Sequence, residues 1–126
     1  MVSDIKVAGN IYKCKNCEHV LVRTDQPKIF NQKHFYILSK LKEVSVDEEF
    51  EWTDLKPFTH VTSKFWDLLE QEAILYTLKC KNCAIVIGLR CHAGTPAIIE
   101  LIQRDMLYRD FVNVKEGEID LNEIIQ

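Results

Sequence analysis

The chain has 126 residues, of which 47% are hydrophobic and 28% are charged, which suits one globular domain with a sizeable core and is too short for two. No apolar run approaches the roughly 20 residues that a membrane span needs, and the first residues, MVSDIKVAGN, lack the layout of a signal peptide. The net charge of −3 argues against a nucleic-acid partner, although the acidic residues concentrate in 41–76 and at the C-terminal end, so a face built from 1–40 and 77–110 can still be positive.

The apolar residues form short runs of strand length between charged or turn-forming residues. In chain order these runs are IYKC, HVLVR, HFYILSKL, EFEWTDL, AILYTLKC, AIVIGLRC and PAIIELIQ. A period of two is kept by Val20, Val22, Phe35, Ile37, Ile85, Ile87 and Leu89. The sequence therefore predicts a mainly β fold of antiparallel sheets.

One segment, SKFWDLLEQEAI at 63–74, has the pattern of a helix. Ser63 can cap its N-terminus, and an apolar spacing near 3.6 residues is kept by Phe65, Leu68, Leu69 and Ala73. We expect one short helix of two or three turns.

The pentapeptide KCKNC occurs twice, 66 positions apart, and uses four of the five cysteines. Two cysteines separated by two residues place both sulfurs on one small ion when the backbone between them turns tightly. Two such pairs complete a tetrahedral four-thiolate site and pin two β-hairpins together. A cysteine-poor chain without a signal peptide favours a metal over disulfides. The predicted ligands of a structural zinc ion, with no open coordination position, are Cys14, Cys17, Cys80 and Cys83.

The residues around the cysteines suit such a site. Four thiolates and a divalent ion carry a net charge of about −2. We expect this charge to be offset by Lys13, Lys15, Lys79 and Lys81. Asn16 and Asn82 are predicted to adopt the left-handed backbone of a tight turn. His19 is an alternative ligand, although four sulfurs suffice.

Cys91 is the fifth cysteine. It precedes His92, but neighbouring residues on a strand point to opposite faces, which places the pair badly for proton transfer. The sequence favours a packed Cys91 over a nucleophile, and a protein that is not an enzyme.

The chain resembles the zinc-clasped β-tent folds in the order of three features. These are a hairpin with CxxC, a long intervening segment, and a second CxxC that is followed after four residues by Gly88. The zinc-clasped β-tent folds include the C-terminal domain of RIG-I-like receptors, the yippee proteins, the thalidomide-binding domain of cereblon and the zinc-bearing methionine sulfoxide reductases. The resemblance implies a fold and leaves the function open.

The residues between and after the clasps are most similar to the RIG-I-like C-terminal domains over about 11–112. His34 follows Cys17 by seventeen residues in QKHFYIL, and Pro96 opens TPAIIELIQ after Gly88. A yippee-like domain explains YKCKNCEHVL and AIIEL as well as a RIG-I-like domain does, but it gives no role to His34. A cereblon-type ligand cage requires three tryptophans, and the chain has two.

In the RIG-I-like family this domain caps the end of double-stranded RNA, often with a 5′-triphosphate. The resemblance implies that His34 contacts the terminal sugar or phosphate. The loop before the second clasp offers phosphate donors at Lys56, His60 and Lys64, and Phe58, with Trp66 as the alternative, offers a stacking surface. The family's lysine after the proline is Ile99 or Glu100 here, so its role falls to Arg90, Arg104, Arg109 or Lys115, of which Arg90 and Arg104 are the candidates retained.

The leading hypothesis from the sequence is a zinc-containing sensor domain of a RIG-I-like or Dicer-related helicase. Its expected partners are double-stranded RNA ends and the helicase core of its own parent chain, with no membrane. The alternative is a yippee-like protein-interaction or oligomerisation module. Residues 1–126 are predicted to form one domain with a core at about 11–112 and a polar C-terminal tail. Its expected location is the cytoplasm, with the nucleus as an alternative.

Overall fold

A computed structural model of the protein describes residues 5–26, 30–31, 35–48 and 63–124. The strands and the α-helix of this part are β1 (Lys6–Cys14), β2 (Val20–Thr24), β3 (Phe30–Asn31), β4 (Phe35–Ser39), β5 (Val44–Asp47), α1 (Ser63–Glu72), β6 (Ala73–Cys80), β7 (Val86–Gly94), β8 (Arg104–Tyr108) and β9 (Val112–Asp120). Short 3₁₀ helices occupy Pro96–Ile98, Arg109–Phe111 and Leu121–Glu123. None of the helices in these ranges has the length and hydrophobicity to cross a bilayer.

The strands form two antiparallel sheets. A three-stranded sheet has the order β2-β1-β9, and a six-stranded sheet has the order β3-β4-β8-β7-β6-β5. Helix α1 spans Ser63–Glu72, and Ala73, which the helical spacing included in the helix, instead begins β6. The predicted mainly β fold, with antiparallel sheets and one short helix, is confirmed.

Two hydrophobic cores cover the two faces of the six-stranded sheet. The core between the sheets is formed by Tyr12, Cys14, Leu21, Val22, Tyr36, Leu38, Leu41, Val44, Leu78, Cys80, Ile87, Leu107 and Val112. The second core contains Leu69 of α1 and consists of Phe35, Leu69, Leu75, Leu89, Cys91, Ile98, Leu101, Met106 and Tyr108. Strand β4 alternates between the cores, since Phe35 enters the second and Tyr36 the first.

The hairpins that carry the cysteines both contain a β-bulge. In β1–β2 the register passes from Tyr12↔Val22 to Lys13↔Val20, so Leu21 is the extra residue. In β6–β7 it passes from Leu78↔Gly88 to Lys79↔Val86, and Ile87 is the extra residue. Because a bulge shifts the side-chain alternation, the unbroken period of two predicted through these strands is wrong.

The bulges show that the sequence repeat is part of a larger structural repeat. Leu21 and Ile87 are 66 positions apart, as are the cysteines, and the pairings Asn10↔Thr24 and Tyr76↔Arg90 keep the same offset. Residues 10–24 and 76–90 therefore form equivalent hairpins, one in each sheet. The sequence prediction recognised only the pentapeptide.

Two segments differ from their predicted structure. Pro96 opens a 3₁₀ helix and not a strand, because the Thr95 hydroxyl accepts a hydrogen bond from Ala97 N at 3.3 Å and caps the turn. The polar segment after 112 forms β9, which pairs with β1 over nine residue pairs. Sheet pairing thus extends from Lys6 to Asp120, beyond the predicted core limits.

Candidate metal centre and the surface beside it

The four predicted ligands lie together where the two sheets meet. Cys14 ends β1 and Cys80 ends β6, while Cys17 and Cys83 occupy the turns that follow. The Sγ atoms of Cys14 and Cys83 are 3.7 Å apart, and those of Cys17 and Cys80 are 3.6 Å apart. All four sulfurs lie within 4.8 Å of one another.

This geometry suits a metal and not disulfides. A tetrahedral ion with metal–sulfur bonds of about 2.3 Å separates its sulfurs by about 3.8 Å, whereas a disulfide needs about 2.05 Å. The two sulfurs that end the strands are buried, and the other two are partly exposed. Four cysteines are thus positioned to bind one metal ion that joins the two sheets.

The two turns have the same backbone hydrogen bonds. In the first, Cys14 N donates to His19 O and Glu18 N donates to Cys14 O, at 2.9 and 2.8 Å. In the second, Cys80 and Ala84 make the equivalent bonds with the same lengths. The left-handed residues are Glu18 and Ala84, with φ of 62° and 63°. The prediction that Asn16 and Asn82 take this conformation is wrong, because the residue after the second cysteine reverses the chain.

The asparagine side chains instead influence the thiols of the opposite turn. The Asn16 side chain donates to the Cys83 sulfur and, as the largest effect, lowers the pKa of that thiol to about 6. The Asn82 side chain donates to Cys17 and lowers its pKa. Burial has the opposite effect on the inner thiols: it raises the pKa of Cys14 to about 12 and raises that of Cys80. The pKa values of the outer and inner thiols are therefore shifted in opposite directions.

Carboxylates of the 43–47 region contact the basic residues near the cysteines. Glu43 lies 3.7 Å from Lys81 Nζ and 3.3 Å from His19 Nε2. Asp47 lies 3.6 Å from Lys79 Nζ. His19 therefore contacts a carboxylate and does not belong to the candidate metal-binding group.

A groove of about 280 Å³ lies beside the cysteine cluster and is lined by Lys15, Asn16, Ile85, Asp110 and Phe111. The side chain of Ile85 is 37% exposed, and that of Phe111 is partly buried against both cores. A hydrogen bond of 3.0 Å from Lys15 N to Phe111 O joins two of its walls. The groove thus combines apolar side chains with one basic and one acidic residue.

Arg90, a predicted RNA contact, is used inside the fold. Its Nε donates to Asp105 Oδ1 at 2.7 Å, and its Nη2 donates to Asp105 Oδ2 at 3.0 Å. The Asp105 side chain is 0% exposed and the Arg90 side chain 14%. Hydrogen bonding to Asp105 raises the pKa of Arg90. Leu41 completes the arrangement, because its N–H donates to Asp105 Oδ2 at 2.8 Å and its carbonyl accepts from Arg90 at 3.2 Å.

Most of the remaining predicted RNA contacts lie outside the part of the chain that the structure describes, so their arrangement stays a prediction. Arg104 is exposed at the start of β8. The predicted contacts that lie outside the described residues are His34, Lys56, Phe58 and His60. Lys64 lies in α1, and its side chain is outside the described part.

Cys91 lies in the second core and is buried. Burial raises the pKa of its thiol to about 11. A thiol in this environment stays protonated near neutral pH and is a poor nucleophile.

No protein-family model and no curated protein matches the chain. Among solved structures, the chain is similar to the crystal structure of the Mis18 "Yippee-like" domain, with a TM-score of 0.63 and 14% sequence identity. The match covers 85% of this chain and 95% of that chain. At this identity the likeness concerns the fold.

This finding corrects the prediction from the sequence. The assignment to the RIG-I-like C-terminal domains is wrong, and so are the predicted RNA-end function and the partners that followed from it, double-stranded RNA and a helicase core. The error has a physical source. Paired CxxC turns indicate a four-cysteine metal site that several fold families share, and the position of His34 was the feature chosen to distinguish these families.

Sequence reasoning missed the cross-site asparagines and the groove. The sequence did contain a signal for the asparagines, because Asn16 and Asn82 occupy the same position in the repeated cysteine turn. The groove had none, because its residues come from three segments that are distant in the sequence.

Proposed function

We propose that this chain is a zinc-stabilised, non-enzymatic protein-interaction module that self-associates through the groove beside the cysteine cluster. The likeness to the Mis18 "Yippee-like" domain supports a module of this kind. The observation that carries the proposal is the groove beside the cysteine cluster, whose lining combines apolar side chains with opposite charges.

Zinc is the metal that fits the donor set. Four thiolates arranged as a tetrahedron favour zinc and leave no position for water or substrate, so the ion serves the fold. The buried Cys91 supplies no reactive thiol, which supports a non-enzymatic role. A reducing location such as the cytoplasm or nucleus suits four uncombined thiols.

The groove surface suits a second copy of the chain. Lys15 and Asp110 carry opposite charges on the same patch. In a two-fold contact whose axis passes between them, Lys15 of one copy faces Asp110 of the other and the reverse, so the patch complements itself. Ile85, an exposed residue of the same lining, provides apolar area that association removes from water.

Sedimentation equilibrium of the zinc-loaded protein over a range of concentrations tests this proposal. We expect a monomer–dimer equilibrium that Ile85→Asp and Lys15→Glu shift strongly to monomer. The double variant Lys15→Glu with Asp110→Lys restores the charge complementarity and therefore the dimer. Ile99→Asp is the control, because Ile99 is 69% exposed and is not among the residues that line the groove.

A wild-type chain that stays monomeric at every concentration contradicts self-association. Equal loss of the dimer in Ile99→Asp and Ile85→Asp contradicts the groove as the surface. Elemental analysis of the purified protein tests the metal separately, with one zinc per chain as the expected result.

A further inference from the structure

We propose that Lys42 and Glu43 are specificity-determining residues, which keep the second of two structurally equivalent faces from associating, so that assembly of the chain closes at a dimer. The inference rests on the proposed self-association through the groove, and it adds the residues that decide how many copies assemble.

The equivalence of the two cysteine hairpins extends to a third strand in each sheet. Strands β9 and β5 pair with the cysteine-bearing strands in the same register, since Cys14 lies opposite Val112 and Cys80 lies opposite Val44. In both sheets this third strand lies on the side of the cysteine-bearing strand away from its hairpin partner, in the orders β2-β1-β9 and β7-β6-β5. Two three-stranded units with equivalent pairing therefore meet at the cysteine cluster.

This equivalence gives the groove a counterpart at the second cysteine turn. Turn residues correspond at an offset of 66 positions, and residues before the third strands correspond by their distance from Val112 and Val44. The counterparts of Lys15, Asn16, Ile85, Asp110 and Phe111 are, in that order, Lys81, Asn82, His19, Lys42 and Glu43, which we call the second face. The apolar side chains of the groove thus correspond to polar or charged ones on the second face.

Glu43 occupies the position of the groove phenylalanine with a charge. Its Oε1 lies 3.3 Å from His19 Nε2, and its Oε2 lies 3.7 Å from Lys81 Nζ. The Glu43 side chain remains 45% exposed, so water still hydrates these groups. Enclosing them in an interface would remove that water, which costs free energy unless the partner supplies new hydrogen bonds.

The charges decide which faces can meet. If the second face met itself in the same two-fold arrangement, Lys81 of one copy would face Lys42 of the other, and like charges repel. If the groove met the second face, Lys15 of one copy would face Lys42 of the next. Contact of groove with groove is the arrangement that places Lys15 opposite Asp110. A two-fold contact of this kind closes at two copies, whereas two associating faces would build an open chain.

Sedimentation velocity of zinc-loaded variants tests the inference. In what we call the opened variant, the second face receives the residues of the groove through His19→Ile, Lys42→Asp and Glu43→Phe. We expect this variant to form species heavier than a dimer in a proportion that grows with concentration, where the wild type stops at the dimer. Adding Ile85→Asp, which blocks the groove, should return the opened variant to a dimer, now held by the second face.

A matched control separates this effect from added hydrophobicity. Glu100→Phe with Arg104→Ile places two apolar side chains at exposed positions outside both faces and should leave the dimer unchanged. Zinc content and the thermal transition show whether each variant folds. If the opened variant loses either, Lys42→Asp with Glu43→Leu makes the same comparison and leaves His19 in place.

The outcomes distinguish this inference from the proposed function. A wild-type dimer overturns the inference if the opened variant also stays a dimer and becomes a monomer on addition of Ile85→Asp, and the groove then remains the association surface. Heavy species as abundant in the control as in the opened variant overturn it as well, because exposed apolar area alone would explain them. A wild type that is monomeric at every concentration refutes the proposed self-association itself, and the inference with it.

Discussion

Replacing Asp105 by alanine removes the centre of the most deeply buried ionic arrangement among the described residues. The carboxylate accepts two hydrogen bonds from Arg90 and one from Leu41 N, at 2.7, 3.0 and 2.8 Å. In the variant, the guanidinium and the Leu41 amide lose these acceptors while both remain largely enclosed. The loop that joins β4 to β5 loses its attachment to β8.

The expected cost is a large fraction of the stability of a small domain. Breaking a buried ion pair by removing one partner typically costs about 3–5 kcal/mol, and a buried amide left without an acceptor costs about 1–3 kcal/mol. Arg90 is 14% exposed and can regain some water, so we take the lower part of this range, about 3–4 kcal/mol. For a chain of this size, such a loss lowers the melting temperature by about 11–15 °C.

Urea unfolding of the zinc-loaded protein, followed by tryptophan fluorescence, measures this loss. Arg104→Ala is the control: Arg104 is exposed, and surface substitutions usually change stability by less than about 0.5 kcal/mol. Asp105→Asn keeps an acceptor for the Leu41 amide and should lie between the two. If Asp105→Ala is as mild as Arg104→Ala, the structural role assigned to Arg90 is wrong.

Three further substitutions or treatments test other parts of the fold. A Cβ on Gly88 would lie 2.1 Å from the Met106 carbonyl oxygen, so Gly88→Ala should cost at least about 2–3 kcal/mol in urea unfolding, whereas Gly117→Ala meets no atom within 4 Å and should be neutral. Equal stability of the two variants would contradict the close strand packing. Tyr12→Phe removes a buried hydroxyl that has no hydrogen-bond partner and should stabilise the fold by about 1 kcal/mol. Because burial, with a smaller effect of Tyr36, raises the pKa of Tyr12 from 10.0 to about 12, the wild type should lose stability as the pH rises above 10, and the variant should lose less across a pH series of urea melts. A strong chelator or Cys80→Ala should unfold the chain in thermal melts, and unchanged melting would refute a structural metal.

The cysteine cluster could be predicted from the sequence because its information is local. Each CxxC turn fixes two sulfurs through hydrogen bonds within a few residues, and the repeated pentapeptide pairs the two halves. The helix at Ser63–Glu72 and the mainly β class follow from short-range periodicity in the same way.

Other features depend on contacts between distant segments. The role of Arg90 is set by Asp105 and Leu41, which lie 15 and 49 positions away. Strand β9 carries few apolar residues, and its pairing with β1 is decided by backbone hydrogen bonds and by Ile119, which packs on Gly9. A polar segment of this kind is typical of a tail when it is considered alone.

The function was harder to predict than the fold because it depends on the groove. The four cysteines bring the residues of the groove together but do not determine which residues these are. Lys15 lies inside the first cysteine turn and Ile85 directly after the second, while the Phe111 carbonyl accepts a hydrogen bond from Lys15 N. The groove therefore exists only when both turns are held in place. Self-association should consequently require the metal, and a chelator should dissociate the dimer at temperatures below the unfolding transition of the zinc-loaded protein. A dimer that persists in the metal-free chain would show that the contact lies elsewhere.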